Sequence, residues 1–131
     1  MLEILSPACS PEGVIAAVQN GADAVYLEYN GSEGRAKDRL FTRDEFGRAL
    51  EYCRVRGVKA YLLLDRLAYD RELPLIAQRA KEACRFGIDA IIVQDLGVMT
   101  TVRRVVPDVP IHASARMGVH NLEGVRIAAV V

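Results

Sequence analysis

Gly21-Ala22-Asp23-Ala24-Val25 and Gly87-Ile88-Asp89-Ala90-Ile91 are two copies of one corner, a glycine ending a helix and then the start of an apolar strand. Glycine suits the left-handed position just past a helix, and Gly57 occupies the same place between the two copies. Outward from these corners, apolar runs of strand length recur at Leu2–Leu5, Ala24–Tyr29, Val58–Leu64, Ala90–Gln94 and Pro110–Ser114. Most are apolar on both faces, as parallel strands covered by helices must be. Helix signals fill the intervals. Ser10 caps a first helix with Pro11 in its first turn. Thr42-Arg43-Asp44-Glu45 is a capping box opening a second, with Phe46, Leu50 and Cys53 on its apolar face. Asp70 is expected to cap a third, which runs through Ile76, Ala80 and Ala83 and tolerates Pro74 in its first turn. A fourth runs from Leu96 to Val106 and ends at Pro107, and Asn121 starts a fifth.

Five βα units with right-handed crossovers and no hairpin signal specify an α/β protein with a parallel sheet in one domain, residues 1–131. Five strands and five helices fit a flavodoxin-like three-layer sandwich, whereas a complete eight-fold barrel needs about 200 residues or more. Against the sandwich, the chain stops on Ile127-Ala128-Ala129-Val130-Val131, an apolar run with no cap or polar tail. It reads as an element cut off, so a partial barrel competes.

The chain has 131 residues, 51% hydrophobic and 26% charged, with a formal net charge of zero. Balanced charge and recurrent apolar residues exclude disorder. No run approaches the roughly 20 apolar residues of a membrane span, and the N-terminus lacks the basic region of a signal peptide. Seventeen basic residues against seventeen acidic ones announce no polyanion-binding surface. Cys9, Cys53 and Cys84 have no metal-knuckle or cluster-binding spacing, which reads as reduced thiols in a cytoplasmic protein. No GxGxxG, P-loop or HExxH is present, and Ser6-Pro7 stands where a receiver domain needs acidic residues for Mg²⁺.

Leu5-Ser6-Pro7-Ala8, Gly21 to Leu27, Val93-Gln94-Asp95-Leu96-Gly97 and His112-Ala113-Ser114 follow in this order. With Arg35-Ala36 and Phe41-Thr42, they make the chain resemble the collagenase-like peptidases, peptidase family U32, over residues 2 to 123. The resemblance implies about five strands of a (β/α)₈ barrel, roughly its first half. It implies a peptide-bond hydrolase of unsettled catalytic type. The alternative is a component of an iron–sulfur-dependent system that hydroxylates tRNA, rRNA or ubiquinone; an inactive half-barrel fragment is a third possibility. The cofactor stays open, because the three cysteines do not match the cluster-binding ones of such systems. The sequence departs from the common pattern at strand ends. Cys9 replaces a glycine, Glu28-Tyr29 a glycine pair, Asp65-Arg66 an Asn-Thr and Ala115-Arg116 a Thr-Gln.

In either architecture, function gathers at the C-terminal ends of the strands. His112 and Ser114, two apart on a strand, share one face. His112 suits a base, a metal ligand or a hydrogen-bond donor, or a histidine held by a carboxylate. Its direct activation of Ser114 is disfavoured, since the two run side by side. Asp95 either orients His112, binds a cation or caps the next helix. Glu28 and Asp65, on neighbouring strands, are a candidate carboxylate pair. Arg35 offers a fork for a carboxylate or phosphate, or is a solvated loop charge. Gln94, Tyr29 and Arg116 join Arg35 as candidate substrate contacts. Cys9, ahead of a helix, is a candidate nucleophile or simply a small loop residue, while Cys53 and Cys84 read as packing. The expected partners are a peptide or protein substrate, or an RNA or quinone system. A second copy of the chain, or the rest of the barrel, would cover the open sheet edges.

Overall fold

A computed structural model describes residues 2–29 and 41–130. Its one sheet has five parallel strands, β1 (Leu5–Pro7), β2 (Ala24–Leu27), β3 (Lys59–Leu64), β4 (Ala90–Val93) and β5 (Ile111–Ala113), paired in sequence order. The helices are α1 (Pro11–Gln19), α2 (Arg43–Val55), α3 (Leu73–Phe86), α4 (Leu96–Val105) and α5 (Leu122–Val130). When strand order follows chain order, every right-handed crossover places its helix on the same face. Residues of α1 to α4 accordingly share one core with Val25, Leu27, Leu62, Ile91 and Val93. A flavodoxin-like sheet reverses direction, in the order 2-1-3-4-5. The observed order rules that sandwich out and leaves an open sheet consistent with part of a (β/α)₈ barrel.

The repeated corner does the same work twice. The Asp23 N–H donates to the Ile4 carbonyl at 2.9 Å, and the Ile4 N–H returns to the Asp23 carboxylate at 2.8 Å. Asp89 makes the identical exchange with Ala60, at 2.9 and 2.8 Å. The preceding glycines, Gly21 and Gly87, have φ of 90° and 87°, where a side chain would be strained. Each corner therefore turns out of a helix and clamps its strand to the neighbour on one side.

Strands β2 to β5 are one or two residues shorter than expected, and two boundaries differ more. The first strand is Leu5–Pro7, not Leu2–Leu5. The Asp23 clamp on Ile4 sets a register that pairs Leu5 with Ala24, leaving Leu2 outside the sheet and 96% exposed. Asp70 does not cap the third helix; it begins a short 3₁₀ turn, and Glu72 instead accepts the Tyr69 N–H at 2.7 Å before α3 starts at Leu73. The other signals hold. The Ser10 hydroxyl accepts the Gly13 N–H, both halves of the Thr42–Glu45 box form, and Asn121 accepts the Gly124 N–H.

The two sheet faces are unequal. The helix side buries a continuous core that includes Phe41, Phe46 and Cys53. On the other face a small cluster of Ala24, Tyr61, Ala90 and Ile92 is covered with help from Tyr26 and Leu63. No helix among the described residues is long and apolar enough to cross a membrane.

Candidate active site

Side chains alternate between the faces of a strand, so each strand sends a predictable set away from the helices. From β2 come Ala24 and Tyr26 and, just past its end, Glu28; from β3 come Tyr61 and Leu63, then Asp65. Of these, Tyr26, Glu28, Leu63 and Asp65 meet Ile92, His112 and Ser114 around an open cleft of about 610 Å³ on the helix-free face. Its floor is apolar, from Leu5, Tyr26, Leu63 and Ile92, and its rim is polar.

Two ion pairs make up most of that rim. The Arg66 guanidinium lies 3.1 Å from Glu28, and the Arg116 Nε lies 3.5 Å from the Asp65 Oδ2. The second pair reaches over the end of β4, from β3 to the turn after β5. Both arginine side chains are largely exposed, so the pairs contribute little to stability and chiefly place charge. Asp65 is different. Its side chain is only 13% exposed, and its Oδ1 is buried with no hydrogen-bond partner among the described residues.

His112 faces the cleft, with its ring edge-on to Tyr61 at 5.0 Å. The contact crosses β4 beside Ala90, which presents only a methyl group there. The Tyr61 hydroxyl in turn donates to Glu3, which also accepts from Lys59 at 2.8 Å. Those two bonds, led by Lys59, hold the Glu3 carboxyl below its ordinary range, and burial followed by Glu3 raises the Tyr61 hydroxyl. Sequence reasoning missed this tie; its one signal was an acid standing alone inside the apolar run Leu2–Leu5.

The structure separates the remaining candidates. Asp95 caps α4, its Oδ1 accepting the Val98 N–H at 2.9 Å, and neither it nor Gln94 lines the cleft. Ser114 lines the cleft while its hydroxyl accepts the Arg116 N–H at 3.2 Å. Tyr29 turns toward the helices, buried and stacked on Phe46 at 4.6 Å, with its hydroxyl donating to Glu82. Burial, reinforced by Glu82, pushes that hydroxyl up to about 12. Arg35 lies outside the described residues. Cys9 is exposed in the turn after β1, at the opposite edge of the sheet from His112. Arg66 was not among the expected site residues, although it follows Asp65 directly, was legible as a strand-end charge and lines the cleft.

The residues present do not fit an iron–sulfur cluster. Cys53 is buried on the inner side of α2, where burial pushes its thiol up to about 11, and burial also raises Cys84. A cluster requires thiolates gathered at one point, and among the described residues no group of three or more potential metal ligands occurs.

Comparison with known proteins gives a consistent result. Residues 9–130 match the family model described as Peptidase family U32. A collagenase of Porphyromonas gingivalis strain W83 is 33% identical over 125 residues, 95% of this chain and 30% of its own length. The tRNA hydroxylation protein P1 of Bacillus subtilis strain 168 is 29% identical over 124 residues, 95% of this chain and 29% of its own. The chain thus spans less than a third of these relatives. The solved structure of the U32 peptidase Mk0906 superposes with a TM-score of 0.71 at 16% identity, over 95% of this chain and 53% of that one, and shares its fold.

Proposed function

The chain belongs to peptidase family U32, and from that premise we propose that it is a peptide-bond hydrolase acting at the C-terminal ends of its strands. One observation carries the reading: the Asp65 carboxylate at the rim of an apolar-floored cleft, its Oδ2 beside the Arg116 guanidinium. A carboxylate that borders the cleft accepts a proton from water. The water oxygen then adds to the substrate carbonyl carbon, and the N–H groups of Arg116 receive the charge that develops on the carbonyl oxygen. The proton held by Asp65 passes to the leaving amine as the C–N bond breaks. Glu28 holds Arg66 beside the same opening, and His112 and Ser114 contact the bound peptide. Glu28, Asp65, Arg66 and Arg116 all stand at departures from the family's common pattern, so this rim suits the chain's own substrates.

The test is hydrolysis of an internally quenched peptide library by the purified chain and by Asp65→Asn. The variant is expected to lose roughly 10²- to 10⁴-fold in turnover while its unfolding midpoint stays in place. Undiminished turnover would remove Asp65 from the chemistry. The names of the tRNA hydroxylation relatives favour a second reading, RNA hydroxylation. Under it the chain would restore hydroxylated nucleosides, read by mass spectrometry, in cells lacking such a protein, and Asp65→Asn would not alter that. The open edges of β1 and β5 are further expected to pair in a larger assembly. Light scattering should then show a dimer or larger species; a stable monomer would contradict it.

A further inference from the structure

The alanine of the repeated corner has a second consequence on the helix-free face. Ala24 lies in β2, between β1 and β3, and Ala90 lies in β4, between β3 and β5; both are buried. Each presents only a methyl group, so side chains from the strands on either side can meet above it. Glu3, just ahead of β1, crosses β2 beside Ala24 to the Tyr61 hydroxyl and the Lys59 Nζ. Tyr61 in turn crosses β4 beside Ala90 to His112. Lys59, Glu3, Tyr61 and His112 thereby form one line of contacts that ends at the cleft.

We propose that Tyr61 and Glu3 are positioning residues of the site, the Glu3 carboxylate fixing the Tyr61 ring and that ring fixing the orientation in which His112 meets a bound peptide. The peptide rests on the hydrolase reading; the line of contacts does not.

Packing alone does not account for these residue types. A phenylalanine at position 61 would fill the same buried place, whereas tyrosine brings a hydroxyl that needs a partner there. Glu3 is that partner, an acid in an otherwise apolar run, and Lys59 balances its charge. Hydrogen bonds to an ionised acceptor are the stronger kind, and two of them converge on this carboxylate. The Tyr61 ring is therefore tied at its hydroxyl end and touches His112 with its ring. Edge-to-face contact is directional, so the orientation of one ring is passed to the other. The His112 charge also helps, after the Lys59 and Tyr61 bonds, to hold the Glu3 carboxyl down, so the two ends of the line sense each other.

The first test reads the His112 side chain directly by NMR. Three-bond couplings should report one rotamer in the wild-type chain and an average over several in Glu3→Ala, which removes the acceptor of both bonds. Glu3→Gln keeps an acceptor for the Tyr61 hydroxyl and should restore most of the single rotamer. His120, the chain's other histidine, lies against the Gly118 carbonyl and should change in neither variant. A His112 side chain already averaged in the wild type, or still in one rotamer in Glu3→Ala, overturns the proposal.

The second test is kinetic, on an internally quenched peptide. Tyr61→Phe and Glu3→Ala should raise KM roughly three- to tenfold with kcat unchanged, the range expected of a directional aromatic contact. In a His112→Ala background neither substitution should raise KM further, because a positioning residue acts through the side chain it positions. Equal increases in both backgrounds would mark a structural role and overturn the assignment. Should Tyr61→Phe fail to fold, Glu3→Ala carries the test, since its side chain is partly exposed. Release of His112 by Glu3→Ala in a chain that cleaves no peptide would sink the hydrolase reading and leave the positioning standing. Cleavage by a chain whose His112 is indifferent to Glu3 would do the reverse.

Discussion

The two faces of one sheet solve different problems. On the helix side, Val25, Leu27, Leu62, Ile91 and Val93 are fully buried against four helices, and Tyr29, Phe46 and Phe86 pack ring on ring. On the other side, neighbouring residues of the same strands, Tyr26, Leu63 and His112, are only partly covered and border a polar rim. The alternation of a strand lets one sequence do both, because successive side chains belong to separate environments. Stability and chemistry are thereby divided between odd and even positions, and substitutions should divide the same way.

Adjacent residues of β3 give the largest expected contrast. Leu62→Ala empties a fully buried site and should cost about 2–5 kcal/mol in denaturant unfolding. Leu63→Ala, one residue on, should cost about 1 kcal/mol because its site is already partly open. Equal costs would break the division. Asp89→Ala should come next, at about 1.5–3 kcal/mol, since it removes the carboxylate that accepts the Ala60 N–H. Asp89→Asn, which keeps an acceptor, should recover part of that loss.

A pH titration sharpens the picture of the packed face. The Tyr29 hydroxyl has its folded pKa raised from 10.0 to about 12. A raised pKa contributes stability that is fully present below the unfolded value and is lost as pH rises toward the folded one. Unfolding should therefore become easier between pH 10 and about 12, and Tyr29→Phe should lower the slope by one proton's worth, read from urea melts across that window. An unchanged slope would place the hydroxyl in water. The smallest effect belongs to the rim. Arg116→Gln removes an exposed partner of Asp65 and should shift stability by less than about 0.5 kcal/mol while lowering peptide turnover, a split that a purely structural role would not produce.

Much of this was legible in the sequence because local rules decide it. The corners at Gly21 and Gly87, the Thr42 capping box and the apolar runs fix elements that need only their neighbours in the chain. Strand order was not local: a sandwich and a partial barrel share the same five βα units, and only the pairing of β1 with β2 through to β5 separates them. The start of β1 was missed because the Asp23 carboxylate, 19 residues away, sets its register. Glu28, Asp65 and Arg116 could be named as strand-end charges, yet their partners could not, since the Asp65–Arg116 pair spans the end of an intervening strand. Asp95 shows the converse. Its place at a strand end fitted both a site and a cap, and the helix takes it.

The most direct measurement of where function resides is amide shift mapping by NMR as a short peptide is added to the isotope-labelled chain. The account predicts perturbations at residues 63–66 and 112–116, around the cleft at the C-terminal ends of the strands. Perturbations confined to residues 18–23 and 56–58, which line a hollow at the opposite end of the sheet, would contradict it.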